Sequence, residues 1–444
     1  MKIAFSGLVE RGKREMTDQN IIDHLAQYDL DLRKSKDGTA LDMKDTHDIV
    51  SYIADCIMNF VDTHESSKTH RKQISFTVSD IWFSDYAIKT AVEVFGKPAP
   101  DTPKAVQEYN KFFTLPIKAL LYAKVLSATR NGRNYIFQVH NYELLEFISQ
   151  RDSYAARFLA LYFKKVLNDS GLYGVFEDFF ELETIDALKK IRTEFVALMF
   201  EYGLKGQKGG SPLECNRTCN KVINVLAYYE RKKGAFRGRV SDEQISLQAT
   251  RYNDSNFIDK AKGKPKGITR SEYEGEARAR ARLEYDISRA KRNVDRFNMA
   301  FNEGYSEALP STITTYALTG VDIRFELSAA RQAATDKHHI FPVSNYPSIS
   351  TYYENIICLT PEQHYNWAHP HHDTSVVNRE YQYYLVLSKA EQIMLNVKYL
   401  VGAPDFYNFR RFTKVLDVGL DTDAFEKIAM NDFTTLKDTV SQYY

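Results

Sequence analysis

The sequence predicts an α+β chain, predominantly helical and divided among several domains. Three observations lead there. The chain is 444 residues long, room for roughly two to four domains of ordinary size. Its cleanest periodic stretch, at 271–298, repeats at helical spacing, and strand-like runs occur at 125–139 and within 336–359. With 43% hydrophobic and 26% charged residues, it has the apolar content to bury a core and lacks the bias of a disordered chain.

At the N-terminus, the apolar stretch of MKIAFSGLVERGK stops at Glu10 and Arg11, too short and wrongly flanked for a secretory signal. No run of about 18 apolar residues suggests a membrane span. Four cysteines, Cys56, Cys215, Cys219 and Cys358, offer no disulfide framework and point to a reducing, intracellular compartment. The expected divisions fall where proline and glycine disfavour helix and strand. They give an N-terminal region 1–202, interrupted at 96–104, then a basic region 203–300 opening on glycine-rich 203–212, then 301–444. The formal net charge is only +1, yet 229–296 holds an excess of Lys and Arg and the remainder is acidic in balance. Such a block is a candidate footprint for a polyanion, and equally a common feature of charged helices.

Within the first region, Lys104 to Phe113 reads as a helix, and Pro116 as the first-turn proline of a second, short helix ending near Ala123. Val125 to Arg130 and Arg133 to Val139 then flank Asn131-Gly132, a dipeptide suited to the positive φ angles of a two-residue hairpin turn. Tyr135, Phe137 and Val139 share one face, as a half-buried strand requires. This order, with Arg130 and Arg133 at the tip, resembles a winged-helix DNA-binding unit over 104–150. The resemblance implies that the helix before the hairpin enters the major groove and the wing touches the backbone. The alternative is a surface hairpin on a helical domain.

Ser271 and Glu274 form a capping-box pattern at the start of the 271–298 helix. Leu283, Ile287, Ala290, Val294 and Phe297 recur on one face. Arg278, Arg282, Tyr285, Arg289, Arg292 and Arg296 recur on another, about 140° or more around the axis. Placed outward, those five arginines would track a phosphate backbone. The competing expectation is a solvated helix held by pairs such as Glu274 with Arg278.

Histidine supplies the chemistry. Six of the 11 histidines, His338, His339, His364, His369, His371 and His372, fall between 338 and 372. Neutral imidazole is both a metal ligand and a base near neutral pH. Asp336 to Phe341 reads as a strand ended by Pro342, and Asn355 to Leu359 as a second. Thr360, Pro361 and Gln363 then start a helix with a capping box, placing His364 just inside it. A long helix is expected from Arg379 to Leu400, and Trp367 is expected to pack the histidine-bearing helix onto its strands.

Strand, loop, strand, helix, carrying His-His, then Asn, then His, resembles the HNH motif of ββα-metal nucleases over 336–372. The resemblance implies that His338 and His364 hold a divalent metal, that His339 is the general base, and that Asn355 orients the base or lies beside the metal. It implies Mg2+ first, with Mn2+ as the other option. The family's usual further ligand, four residues on, would be Ala368, so Asn366 or His369 stands as its substitute. Asp336 is a ligand or, preferably, the partner that fixes a histidine tautomer. His369, His371 and His372 otherwise read as a surface loop around Pro370. No CxxC pairs flank the motif, and the lone Cys215/Cys219 spacing is not read as a structural zinc site.

These roles suit phosphodiester hydrolysis, which needs an activated water and charge stabilisation at the phosphate and leaving 3′ oxygen. The functional expectation is a metal-dependent endonuclease acting on double-stranded DNA, by analogy a bacterial Type II restriction enzyme, cytoplasmic and homodimeric on a palindromic site. A phage or mobile-element nuclease and a nonspecific defence nuclease are the nuclease alternatives. A DNA-binding regulator with an inactive HNH-like fold, or a nonenzymatic metal-binding module, is the alternative from another class.

Overall fold

Residues 16–64, 71, 73–103, 105–132, 134–203, 212–236, 238–252, 270–308, 336–361, 363–369, 377–399 and 406–444 are described in the computed structural model of the chain. Helices dominate, accompanied among the described residues by three small antiparallel sheets. The described chain divides into two compact units, 16–282 and 283–444. The division lies inside the helix Arg270–Ala308, rather than at 203–212 or near 300. Among the described residues, no helix is long and apolar enough to cross a membrane.

The first unit is organised around the helix His47–His64, buried continuously from His47 through Met58. Ile49, Val50, Ile53, Ile57 and Val61 supply the apolar contacts, against the helices Tyr142–Gln150 and Asp152–Asp169. Polar residues survive there because they are partnered. Ser51 Oγ donates to Asp152 Oδ1 at 3.1 Å, His47 Nε2 donates to the Leu247 carbonyl at 2.9 Å, and the Tyr86 hydroxyl donates to Asp55.

Strands β1 (Ser75–Phe76), β2 (Leu126–Asn131) and β3 (Asn134–Val139) form one sheet in the order β1-β3-β2. The expected hairpin is present, but Asn131 pairs with Asn134, so Asn131 belongs to the strand and the turn starts at Gly132. Gly132, at φ +60°, occupies the first central position, where both favoured hairpin turns need a positive angle. Phe137 and Val139 are buried and Tyr135 is exposed at the tip. Strand β1 carries no sequence signal of its own: two residues are too few for periodicity, and it is recruited by pairing Phe76 with Phe137. The two helices expected before the hairpin are one, Ala105–Tyr122, with Pro116 inside. Tyr109, Phe112, Phe113, Ile117 and Leu120 are all buried along it, and that packing outweighs the one backbone hydrogen bond that proline removes.

A second hairpin, β4 (Lys233–Phe236) with β5 (Arg239–Gln244), lies in a stretch whose few apolar residues, Ala235, Phe236 and Val240, show no strand alternation. Cys215 and Cys219 are buried in the helix Pro212–Glu230, and burial pushes both thiols up, away from the thiolate.

In the second unit, β6 (Asp336–His339) pairs antiparallel with β7 (Ile356–Leu359). Ala290, Val294 and Phe297 join Ile340, Ile356, Leu359, Leu385, Ile393, Phe412, Val415 and Leu436 in one core. The expected long helix runs Arg379–Tyr399. Phe341, at the end of the first expected strand, lies against Gly419 of the helix Phe409–Leu420: a Cβ there would stand 2.4 Å from the ring. Trp367 packs on this core, with its ring edge to Tyr381.

Candidate metal centre

The elements that bear the histidines are fixed locally. Thr360 N–H donates to Gln363 Oε1 at 3.0 Å and Gln363 N–H to Thr360 Oγ1 at 3.2 Å, the reciprocal capping box. Beyond the cap the chain is not α-helical: Gln363–Ala368 is a π-helical turn. In an α-helix the fifth residue on lies about 140° around the axis. In a π-helix the hydrogen bond itself closes at the fifth residue, so His369 returns alongside His364.

Strand β6 completes the group. His338, His364 and His369 offer ligand nitrogens that all lie within 4.8 Å of one another. Their ring centroids are 5.3 Å apart for His338 and His364, 4.8 Å for His338 and His369, and 5.0 Å for His364 and His369. His338 and His369 are buried, and His338 Nε2 has no hydrogen-bond partner. A buried, unpaired imidazole nitrogen costs free energy unless something takes its lone pair, so the triad fits a metal ion. His369, which the sequence offers both as the substitute ligand and as loop surface, is part of the cluster. Asn366 is exposed, and His371 and His372 lie outside the described residues.

Asp336 Oδ2 accepts from His364 Nδ1 at 3.0 Å, which leaves Nε2 as the ligand nitrogen. Burial is the main force on three of these imidazoles: it pushes His338, His364 and His339 below the ordinary histidine range, His339 to about 4. Neighbouring imidazoles add to the effect at His338, and Asp336 opposes it at His364. Both shifts favour the neutral imidazole, the form that can donate a nitrogen lone pair.

His339, next along the strand, is placed differently. Its Nε2 donates to the Ser350 carbonyl at 2.9 Å, leaving Nδ1 as the unprotonated nitrogen. Asn355 contacts neither His339 nor the triad through a side-chain hydrogen bond. Its Nδ2 donates to the carbonyls of Phe341 at 3.0 Å and Ile349 at 3.4 Å, and its Oδ1 accepts from Phe341 N–H at 2.9 Å. Asn355 therefore pins both ends of the 341–349 loop, and the residue after that loop, Ser350, aims His339. Asn355 is a positioning residue, the first of the two roles expected of it, and it acts through backbone atoms rather than by touching the base.

The arginine stripe does not face outward as expected. Arg282 is largely covered and forms an ion pair with Asp152, within the first unit. Arg289 pairs with Asp286 at 3.0 Å and lies over the Tyr285 ring, and Arg296 donates to Asn293 Oδ1 at 2.9 Å; both are buried. Arg292 donates to Ser288 Oγ at 2.8 Å, and Arg278 is half-buried. The helical wheel assumed one covered face, whereas carboxylates pair with Arg282 and Arg289 and an amide oxygen accepts from Arg296, which lets a second face be covered. Gly275, at φ 55° and ψ −137°, interrupts the helix near its start, and the side chains of Ser271 and Glu274 lie outside the described set. Arg130 is exposed at the hairpin tip, with Nε donating to the Gly132 carbonyl at 3.2 Å, and Arg133 lies outside the described residues.

No family model, curated protein or solved structure matches the chain.

Proposed function

We propose that this chain is a metal-dependent DNA endonuclease of the ββα-metal kind, hydrolysing phosphodiester bonds. One observation carries the proposal: three imidazoles, His338, His364 and His369, converge, and the next residue along the strand from His338 is a fourth histidine, His339, whose tautomer is set by a backbone carbonyl. Three protein ligands would leave positions open for water and a phosphate oxygen. When bound, the ion would supply charge stabilisation at the scissile phosphate and the leaving oxygen. An all-nitrogen donor set favours a transition ion such as Zn2+, Ni2+ or Co2+ over the Mg2+ that the motif's resemblance implies.

The remaining work falls to the chain. His339 Nδ1 is the proton acceptor for an attacking water, its ring held by Ser350 and, through the loop, by Asn355. Asp336 orients His364. For DNA recognition, the support lies in the sheet order β1-β3-β2, with the helix Ala105–Tyr122 directly before the hairpin, as in a winged-helix unit. The first turns of that helix expose Gln107, Asn110 and Lys111, and Arg130 is exposed at the hairpin tip. These take over the recognition role expected of the arginine stripe. Within nucleases, the proposal is a site-specific enzyme of the Type II restriction kind.

The test is incubation of the purified chain with supercoiled plasmid and phage DNA in Co2+, Ni2+, Zn2+, Mn2+, Mg2+ or EDTA, resolved on a gel. Discrete fragments that need a metal are expected. A metal-dependent smear would remove site specificity and keep the hydrolysis. Intact DNA with every ion would overturn the nuclease assignment.

A further inference from the structure

The π turn Gln363–Ala368 keeps Gln363 and Ala368 inside and leaves Tyr365 and Asn366 exposed. Tyr365 is 45% exposed, whereas the other aromatic residues of 336–369, Phe341, Tyr346, Tyr352, Tyr353 and Trp367, are all packed on the core of the second unit. Trp367, two residues on, reaches that core. The Tyr365 ring lies instead against His364, with centroids 4.8 Å apart and planes tilted by 50°.

That contact ties the ring to the metal centre. His364 Nδ1 is committed to Asp336, so an ion would take Nε2 of the same imidazole. With a metal–nitrogen bond of about 2.1 Å, the Tyr365 centroid stands no more than roughly 8 Å from that ion. The phosphate and the base of one nucleotide are a sugar apart, a span of the same order.

An exposed aromatic ring offers what the imidazoles do not. The triad would hold a phosphate, which every nucleotide shares, whereas an aromatic face takes another π-face, and within a nucleotide the base has one. Inside a duplex both faces of a base are covered by its neighbours, so a base that stacks on protein has left the stack. Contact with His364 places the ring before substrate arrives, which lowers the ordering cost of stacking.

We propose that Tyr365 is the base-stacking residue of this centre, taking the unstacked nucleobase next to the phosphate held at the triad. The proposal rests on the hydrolase assignment above and names what the substrate must offer there: a strand whose base beside the cut is out of the stack.

The experiment loads the full wild-type chain, Tyr365→Ala and Tyr365→Phe with Co2+ and reads Co2+ affinity from the visible absorption of the bound ion. Departure of the 3′ oxygen leaves the phosphate on the 5′ carbon of the next nucleotide, so the first probe is thymidine 5′-monophosphate. The second is 2-deoxyribose 5-phosphate, which lacks the base. Both are titrated against the Co2+ spectrum. Wild type is expected to bind the nucleotide tighter than the sugar phosphate by roughly fivefold or more, the ordinary worth of one stacked base. Tyr365→Ala is expected to erase that ratio with Co2+ and sugar phosphate affinities unchanged, and Tyr365→Phe to retain it. Equal binding of the two probes by wild type overturns the proposal, as does a ratio that survives in Tyr365→Ala. A drop in Co2+ affinity in Tyr365→Ala also overturns it, because the ring would then serve to hold His364. A wild type that takes up no Co2+ has no such centre and overturns it too. If Tyr365→Ala fails to fold by thermal melting, Tyr365→Leu is measured against the same criteria. A base-dependent ratio in a chain that cleaves no DNA, single- or double-stranded, would keep the stacking site and remove the hydrolase assignment.

Discussion

His364 and His369 are five residues apart, and their imidazole centroids lie 5.0 Å apart because the turn between them is π-helical. Rare π turns recur at functional sites because they realign one side chain by a fraction of a turn. Here the realignment supplies the third nitrogen of the triad.

Ligand position therefore obeys π rather than α spacing. His369→Ala should weaken Co2+ or Zn2+ binding by more than the roughly 10–100-fold that loss of an outer partner costs. Adding Ala368→His to that variant, which restores the four-residue spacing, should not recover affinity. Recovery, measured by metal titration, would mean that the turn is α-helical in solution.

His339 and Asp336 should separate chemistry from metal binding. His339→Ala is expected to lower DNA cleavage by roughly 100–10,000-fold with metal affinity unchanged, the ordinary scale of a lost general base. Asp336→Asn should instead weaken metal binding, by about 10–100-fold. Full cleavage by His339→Ala would remove it from the mechanism.

Lys389 gives the second unit a pH signature. It is fully buried, bonded to Gln392 Oε1 at 3.0 Å and to the Tyr407 hydroxyl, and burial pushes its ammonium down to about 7. Below pH 7 both folded and unfolded chains hold the proton, and the cost of burying the charge is fully present. Between about 7 and the ordinary 10.5, the unfolded chain still holds a proton that the folded chain has released. In that window the unfolded state binds more protons, so this residue raises stability with pH. The slope contributed is at most about 1.4 kcal/mol per pH unit. Urea unfolding of Lys389→Met across that window should show a flatter dependence than wild type; parallel curves would refute the shift.

Gly419 leaves the space in which the Phe341 ring lies, and Phe341 begins the loop pinned by Asn355. Gly419→Ala should therefore destabilise by about 1–3 kcal/mol, although alanine is the better helix former. Chemical denaturation measures this, and a stabilised variant would contradict the contact.

Arg282 should behave as an interior partner rather than a DNA contact. Arg282→Gln leaves Asp152 without its principal cation, a loss approaching the roughly 3–5 kcal/mol seen when buried pairs are broken. The salt slope of DNA binding by the folded variant should match wild type. A slope flatter by about one would return Arg282 to the phosphate backbone.

The sequence by itself determined the features encoded over a few residues. The helical class, the 126–139 hairpin, the Thr360/Gln363 capping box, the strand pair of the histidine motif and the Arg379–Tyr399 helix all depend on local hydrogen bonds and short-range periodicity. His338, His339 and His364 stood out for the same reason: their spacing comes from the elements that carry them. Tertiary structure decided what surrounds each side chain. The π turn brought in His369, backbone carbonyls turned Asn355 into a loop clamp, and Asp152 and Asp286 drew Arg282 and Arg289 inward. Burial and charge pairing sum over residues distant in the chain, and no local spacing carries that sum.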